Sequence, residues 1–112
     1  MEVRATTKNL GVSARKVRLI LERLPRLSVD QSLALLRYLQ SPHARSVSKT
    51  VLSAASNAEN NFDMDVDDLV IKRAYADEGR TMRRFKARSR GRASPILKRS
   101  AHITIILDER GA

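Results

Sequence analysis

The stretch RTMRRFKARSRGRASPILKR, residues 80–99, is the densest cluster of side chains in this chain that could bind a charged ligand. It contains nine Lys or Arg and no Asp or Glu, and seven of the nine are Arg. The planar guanidinium group of Arg can donate two parallel hydrogen bonds to a phosphate and can also stack on a base. The stretch therefore predicts binding to a polyanion.

The charge balance of the whole chain supports this interpretation. The net charge is +10, but residues outside 80–99 carry thirteen basic and twelve acidic side chains, a net charge of +1. Such asymmetry is typical of nucleic-acid-binding proteins. Neighbouring cations about 7 Å apart repel each other by roughly 0.6 kcal/mol per pair in water before salt screening. We therefore expect this segment to be ordered only when nucleic acid surrounds it and counterions are released.

A second group of cations lies near the start of a predicted helix. Ser13 is the expected N-cap, and Arg15, Lys16 and Arg18 follow in the first turns, where the helix dipole disfavours positive charge. A phosphate at this helix N-terminus would reverse that effect, because free N–H groups and cations would converge on it. A solvated basic face explains the same residues equally well. The apolar face of the helix comprises Val17, Ile20, Leu21 and Leu24.

Other reactive side chains give weaker signals. The chain has no Cys, its only histidines are His43 and His102, and it has no GxSxG, P-loop or HExxH motif. We expect no enzymatic activity and no cofactor. Four aspartates at positions 63, 65, 67 and 68 resemble a calcium loop, but such a loop requires Gly and Glu where Asp68 and Ala74 stand. A solvated loop is the expected structure, with no metal.

Periodicity predicts the elements that position these groups. Alternating residues at 2–8 predict a strand, with a turn at 9–11. Pro25 ends the first helix, Ser28 and Gln31 form a capping box for a second, and Ser41-Pro42 begins a third. The inner face of the third helix is made of small residues that allow close packing: Ala44, Val47, Val51, Ala54, Ala55 and Ala58.

Two further strands are predicted at 69–75 and 101–107, and residues 108–112 are expected to form a loose tail. The fold class is α+β, with three helices packed on a small antiparallel three-stranded sheet. The segment between the last two strands is too long for a structureless loop. We predict a long β-hairpin turning near Gly91 and projecting roughly 30 Å. The chain is then one domain, 1–112, with a globular part at about 1–78 and 100–110 and a basic hairpin at about 79–99.

The composition also limits where the protein works. No apolar run approaches the ~18 residues of a membrane span, and the polar start MEVRATTKNL does not resemble a signal peptide. The lack of Cys fits a reducing compartment. We expect a cytoplasmic protein with no membrane partner.

Several segments together resemble the bacterial-type ribosomal protein L-twenty-two of the large subunit. The resemblance covers essentially the whole chain and is carried by VSARKVR (12–18), SNAENN (56–61), YADEG (75–79) and RSRGRASPILKRSAHITI (88–105). It implies a small α+β domain with a long hairpin that binds large-subunit rRNA, beside neighbouring ribosomal proteins. It also implies that the hairpin tip lines the nascent-peptide exit tunnel and meets the nascent polypeptide. A free-standing nucleic-acid-binding regulator is the alternative that charge alone leaves open.

Charge and resemblance together give two sets of candidate residues. The expected tunnel tip is Arg88, Ser89, Arg90, Gly91, Arg92, Ala93 and Ser94. The expected rRNA-binding residues are Ser13, Arg15, Lys16, Arg18, Arg80, Arg83, Arg84, Lys86, Arg88, Arg90, Arg92, Lys98, Arg99 and His102. Members of the family often carry Pro where Arg80 and Ala87 stand, so we expect a hairpin that is more flexible or paired differently at these places.

Overall fold

A computed structural model of the 112-residue chain describes residues 2–39, 41–87, 91 and 93–109. The elements are, in chain order, β1 (Val3–Leu10), α1 (Ala14–Leu21), α2 (Val29–Tyr38), α3 (Pro42–Phe62), a 3-10 turn (Val66–Asp68), β2 (Leu69–Glu78), β3 (Met82–Ala87), β4 (Ala93–Lys98) and β5 (Ala101–Glu109).

Three of the strands form an antiparallel sheet in the order β1-β5-β2. The last strand therefore lies in the centre, where it pairs with both edges. Helix α1 packs on β2, α3 packs on β1 and β5, and α2 packs on α3. The predicted fold class, three helices on a three-stranded antiparallel sheet, is confirmed.

The core lies between the helices and one face of this sheet. Ile103, Ile105 and Leu107 on β5 have no exposed surface, and they face Val47 and Val51 on α3, which are equally buried. The predicted inner face of α3 is buried at all six positions. Because Ala fills four of them, the backbone of α3 can approach the sheet closely, which makes this helix the central packing element.

The helix starts follow the predicted capping. Ser28 Oγ accepts the N–H of Gln31, and Gln31 Oε1 accepts the N–H of Ser28, so the capping box is complete. Ser41 Oγ accepts the N–H of His43, with Pro42 at the first helical position. These bonds satisfy N–H groups that the helix itself cannot pair.

Three local expectations differ from the structure. Helix α1 ends at Leu21, and Leu24 reaches the core through two tighter turns that follow the helix. Asn57, Asn60 and Asn61 tolerate left-handed backbone and so predict the C-terminal cap of α3; the residue that has this backbone is instead Asp63, with φ 49°. Asp108 and Glu109 belong to β5 and not to a loose tail, because β2 supplies backbone partners at Val70 and Leu69. Residues 110–112 of the expected tail lie outside the described part of the chain.

The segment between β2 and β5 forms a second, two-stranded sheet. Its strands β3 and β4 are antiparallel and pair in an unbroken register from Met82 with Lys98 to Ala87 with Ala93. Gly91, between them, has the positive φ of 73° that the sequence predicts for the turn. The molecule measures 62 × 27 × 19 Å along its principal axes, so it is far from spherical.

Candidate nucleic-acid interface

The basic hairpin, residues 79–99, is joined to the body, residues 1–78 and 100–110, by a short hydrogen-bonded junction. The N–H of Gly79 donates to the carbonyl oxygen of Ser100 at 2.9 Å, and Ser100 Oγ donates to the carbonyl oxygen of Arg80 at 2.7 Å. A Cβ atom at Gly79 would lie 2.5 Å from Ser100 Oγ and 3.0 Å from Cε1 of His102. A side chain at position 79 would therefore displace the Ser100 hydroxyl group or the His102 ring, so glycine suits the close approach of the two strands here.

His102 belongs to this junction. Its Nδ1 atom accepts the backbone N–H of Asn9 at 3.1 Å, and its ring lies against Gly79. A ring nitrogen that accepts an N–H carries no proton, so this bond places the proton of a neutral imidazole on Nε2. The sequence predicted His102 as an RNA-binding residue; the structure gives it, in addition, a bond that ties β1 to the base of the basic hairpin.

The side chains of the basic hairpin that the structure describes are exposed. Arg80, Arg83, Lys98 and Arg99 all face solvent. The apolar residues Met82, Phe85 and Leu97 are exposed too, at 46%, 72% and 48%. A two-stranded hairpin with no buried apolar side is marginal in water. The cations are thus displayed on an element that contributes little hydrophobic stabilisation of its own.

The remaining hairpin candidates divide into two groups. Arg84 and Lys86 lie within β3, and Ala93 and Ser94 begin β4. The predicted tip residues Arg88, Ser89, Arg90 and Arg92 lie outside the described residues.

The start of α1 lies beside the base of the basic hairpin. Ser13 occupies the N-cap position, but its side chain makes no capping hydrogen bond. Ser13 and Ala14 line a small depression together with Glu78, Thr81, Arg99 and Ser100. The structure therefore brings the two predicted groups of RNA-binding residues next to each other.

The three cations of α1 are placed differently. Arg15 and Lys16 are exposed. Arg18 Nε donates to the carbonyl oxygen of Ala76 at 3.0 Å, which links α1 to β2. Arg18 thus has a structural contact that the sequence did not reveal, because Ala76 is 58 residues away.

The acidic loop after α3 is held by its own hydrogen bonds. Asp65 Oδ1 accepts the N–H of Asp67 at 3.0 Å and so caps the 3-10 turn. Among the described residues, no group of three or more His, Cys, Asp or Glu side chains is placed to hold a metal ion. Within the same part of the chain, no helix is both long and apolar enough to cross a membrane.

One ion-pair group lies at the far end of the sheet from the basic hairpin. Lys72 Nζ lies 2.5 Å from Glu2 Oε1 and 3.6 Å from Asp108 Oδ2. The hydrogen bond between Lys72 and Glu2 lowers the pKa of Glu2 and raises the pKa of Lys72. The backbone N–H of Glu109 donates to Asp108 and lowers the pKa of its carboxyl group. This group has one cation and two carboxylates, so it adds no net positive charge at this end of the sheet.

One set of exposed or half-buried polar residues on the body was not predicted from the sequence. Arg4 on β1 and Arg73 and Tyr75 on β2 lie on the sheet face opposite the helices, and the Arg73 guanidinium carbon is 6.0 Å from the centre of the Tyr75 ring. The alternation within each strand placed these residues on a polar face, but only the pairing of β1 and β2 with β5 brings them together.

Comparisons with known proteins cover both the body and the basic hairpin. The model of the family described as Ribosomal protein L22p/L17e matches residues 5–108. The large ribosomal subunit protein uL22 of Dehalococcoides mccartyi is 50% identical over 107 residues, covering 96% of this chain and 98% of that protein. The large ribosomal subunit protein uL22 of Macrococcus caseolyticus is 42% identical over 110 residues, covering 98% and 89% respectively.

Proposed function

Because the chain belongs to the ribosomal protein L22p/L17e family, and is therefore a structural component of the large ribosomal subunit and not an enzyme, we propose that it binds large-subunit rRNA through the basic hairpin. Family membership also places it in the cytoplasm with that subunit and its proteins, and favours this role over that of a free-standing regulator.

The observation that carries the proposal is the exposure of the cations of the basic hairpin, with no acidic side chain among residues 80–99. Its described cations face solvent, its strands pair with each other, and residues 80–99 contain no acidic side chain to neutralise them. Phosphates on both sides would remove the repulsion between these cations and release counterions. The chain is thereby divided into a body that folds around its own core and a hairpin that is stabilised by RNA.

The tip of the basic hairpin, Arg88–Ser94, lines the nascent-peptide exit tunnel in this proposal and meets the nascent polypeptide there. The positive φ of Gly91 supports a reversal of the chain at this residue. Substitutions at positions 91–93 are then expected to alter sensitivity to antibiotics that bind in the tunnel, while subunit assembly continues. Unchanged sensitivity in such variants would show that the tip lies elsewhere.

The start of α1 provides a second contact in this proposal. Ser13 shares a depression with Arg99 at the hairpin base, and the predicted cations Arg15, Lys16 and Arg18 follow it in α1. A phosphate bound there would meet the exposed N–H groups of the helix as well as these cations. His102, whose ring lies against Gly79 at the hairpin base, is the remaining residue of the proposed rRNA-binding set.

The experiment that tests the proposal is a salt titration of binding between the full chain and deproteinised large-subunit rRNA. If about five of the nine cations of residues 80–99 meet single-stranded phosphates, log K should fall against log salt with a slope of roughly −3.5. Replacing Arg83 and Arg99 by Gln should reduce that slope by about 1.4, since each lost phosphate contact accounts for about 0.7.

A matched variant on the body provides the control. Arg23 and Arg37 are exposed cations outside the proposed contacts, so Arg23→Gln with Arg37→Gln removes the same charge and should leave the slope unchanged. Equal losses in both variants, or an affinity that does not respond to salt, would contradict the proposal. Hydrogen exchange adds a second measurement: amides of β3 and β4 should exchange rapidly in the purified chain and become protected when rRNA is added.

A further inference from the structure

The face of the three-stranded sheet that the helices leave uncovered, which we call the open face, has an ordered arrangement of side chains. In β1 the alternate residues Val3, Ala5 and Thr7 point to the helices, and Thr7 Oγ1 lies 2.7 Å from Thr50 Oγ1 on α3. The residues between them, including Arg4 and Thr6, therefore point the other way. No part of the described helices lies over them.

The first row of the open face is Arg4, Ile106 and Arg73, which are direct cross-strand neighbours. Ile106 is only 2% exposed, although it lies on the side away from the helices. Long side chains of flanking residues cover such a position with their aliphatic stems while their charged ends stay in water. The two arginines thus flank an apolar centre, about 10 Å apart across two strand spacings.

The second row is Thr6, Thr104 and Tyr75, again direct neighbours across the three strands. The hydroxyl oxygens of Thr6 and Thr104 are 3.4 Å apart. The Tyr75 ring is partly exposed and lies beside the Arg73 guanidinium group. Thr6 is exposed, whereas Thr104 is buried. The Thr6 hydroxyl group, a ring face and two cations are therefore displayed together, and neither row contains an acidic side chain.

We propose that the open face binds an unpaired segment of large-subunit rRNA, with a base stacked on Tyr75 and the adjoining phosphates at Arg4 and Arg73. This rests on the proposed function, which supplies the rRNA as partner. Cations that follow a backbone and an aromatic ring that accepts a base are the combination by which proteins hold single-stranded nucleic acid. The exposed hydroxyl group of Thr6 can bond a ribose 2′-OH.

The position of the free charge favours RNA over an acidic protein segment. A protein partner would be expected to use the apolar centre of the face, but Ile106 is already covered. At one end of the sheet Lys72 is paired with Glu2 and Asp108, and the charge of Arg73 also acts on Glu2. Arg4 and Arg73 are the cations within the two rows. A flexible chain of phosphates with separable bases fits this spacing.

The chain itself provides a reporter for the stacked base, because it contains two Tyr and no Trp. In the variant Tyr38→Phe, Tyr75 is the sole tyrosine; in Tyr75→Phe, only Tyr38 remains, on α2 and 83% exposed. Deproteinised large-subunit rRNA is added to each full-length variant and tyrosine emission is measured. Absorption of light by the RNA dims both variants equally, so the ratio of the two signals reports contact at Tyr75.

We expect Tyr75 emission to be quenched several-fold more than Tyr38 emission at saturating rRNA. Equal quenching, or quenching of Tyr38 alone, would overturn the inference, since the open face would then be an ordinary solvated face or the site of a different partner. If the salt-dependent binding described above persists while Tyr75 is unaffected, the proposed function stands and only this inference fails. If no rRNA binds at all, both fail.

Substitutions distinguish the contribution of the Tyr75 ring to binding from that of Arg4 and Arg73. Tyr75→Leu keeps an apolar cover on the sheet and removes the ring, so binding should weaken about tenfold with an unchanged salt slope. Arg4→Gln with Arg73→Gln should reduce the slope by about 1.4. The Arg23→Gln, Arg37→Gln pair again serves as the control with equal charge. An affinity unchanged in Tyr75→Leu, or a slope unchanged in the arginine pair, would overturn the inference.

Discussion

The body and the basic hairpin are both built on antiparallel strands, yet their side chains are in opposite environments. In β5, at the centre of the body, seven of the eight residues from Ala101 to Asp108 are buried, so this strand is covered on both faces. In β3 the apolar residues Met82 and Phe85 are exposed. The same backbone pairing is thus stabilised by the chain's own core in one region and carries exposed side chains in the other, where we propose that rRNA supplies the stabilisation.

Among the tests of this contrast, the largest change in the free energy of unfolding is expected when a core side chain of the body is removed. Ile105 has no exposed surface and lies between α3 and its neighbouring strands. Ile105→Ala should therefore reduce the free energy of unfolding by about 2–5 kcal/mol, because it removes buried methylene groups and leaves a cavity. Urea denaturation followed by far-UV circular dichroism measures the loss.

The matched change in the basic hairpin is Phe85→Ala. Phe85 is a larger apolar residue but is 72% exposed, so the free energy of unfolding should change by less than about 0.5 kcal/mol. A comparable loss in both variants would show that the hairpin shares in the core, and the contrast between the two regions would be wrong.

Much of the fold behind this contrast could be predicted from local sequence. The small-residue face of α3, the capping box at Ser28 and the turn at Gly91 depend on residues close in the chain, and all three are confirmed. The place of Asp108 within β5 could not be predicted in this way. Its pairing with Val70 joins residues far apart in sequence, and no local pattern records it.

The candidate interface shows the same limit. The cations of residues 80–99 are evident from composition alone. The junction of Gly79, Ser100 and His102, and the rows of the open face, arise only when β1, β2 and β5 come together. The cations of the candidate interface are therefore evident from the sequence, whereas the contacts around them are not.

A second, smaller effect is expected where the two regions meet. Gly79→Ala would place a Cβ atom within 2.5 Å of Ser100 Oγ, so Ser100 must move and its bond to the Arg80 carbonyl oxygen is lost. We expect a loss of about 1–3 kcal/mol in unfolding free energy, as for other overpacked or unsatisfied sites.

Binding to rRNA provides a second measurement for this variant, because it depends on the direction in which the basic hairpin leaves the body. Gly79→Ala should weaken rRNA binding, because the hairpin leaves the body at a changed angle. Gly11→Ala is the control, since a Cβ there would meet nothing within 4 Å. Identical behaviour of the two variants would argue that the junction does not orient the hairpin.

A weaker contribution comes from the ion-pair group at the other end of the body. Because the pKa values of Glu2 and Asp108 are lowered in the folded state, these two carboxylates stabilise the fold fully above the ordinary carboxyl pKa of about 4. This stabilisation is lost as the pH falls through the lowered values of the folded state. Lys72→Gln removes the shared partner, so unfolding of this variant should depend less steeply on pH in the acid range. An unchanged pH profile, measured by thermal unfolding, would show that the group contributes nothing measurable.

The smallest change in body stability is expected from the largest change in sequence, the removal of residues 80–99. Glu78 and Ala101 are cross-strand partners, so the deletion leaves Gly79 and Ser100 as a two-residue connection between β2 and β5. A type II′ hairpin turn has Gly at the first of its two central positions, which is where Gly79 would stand. The truncated chain should therefore keep a cooperative thermal transition close to that of the full chain, while losing most of its salt-dependent affinity for rRNA. A collapsed transition would mean that the body depends on the hairpin for its fold, since the new turn introduces no strain of its own.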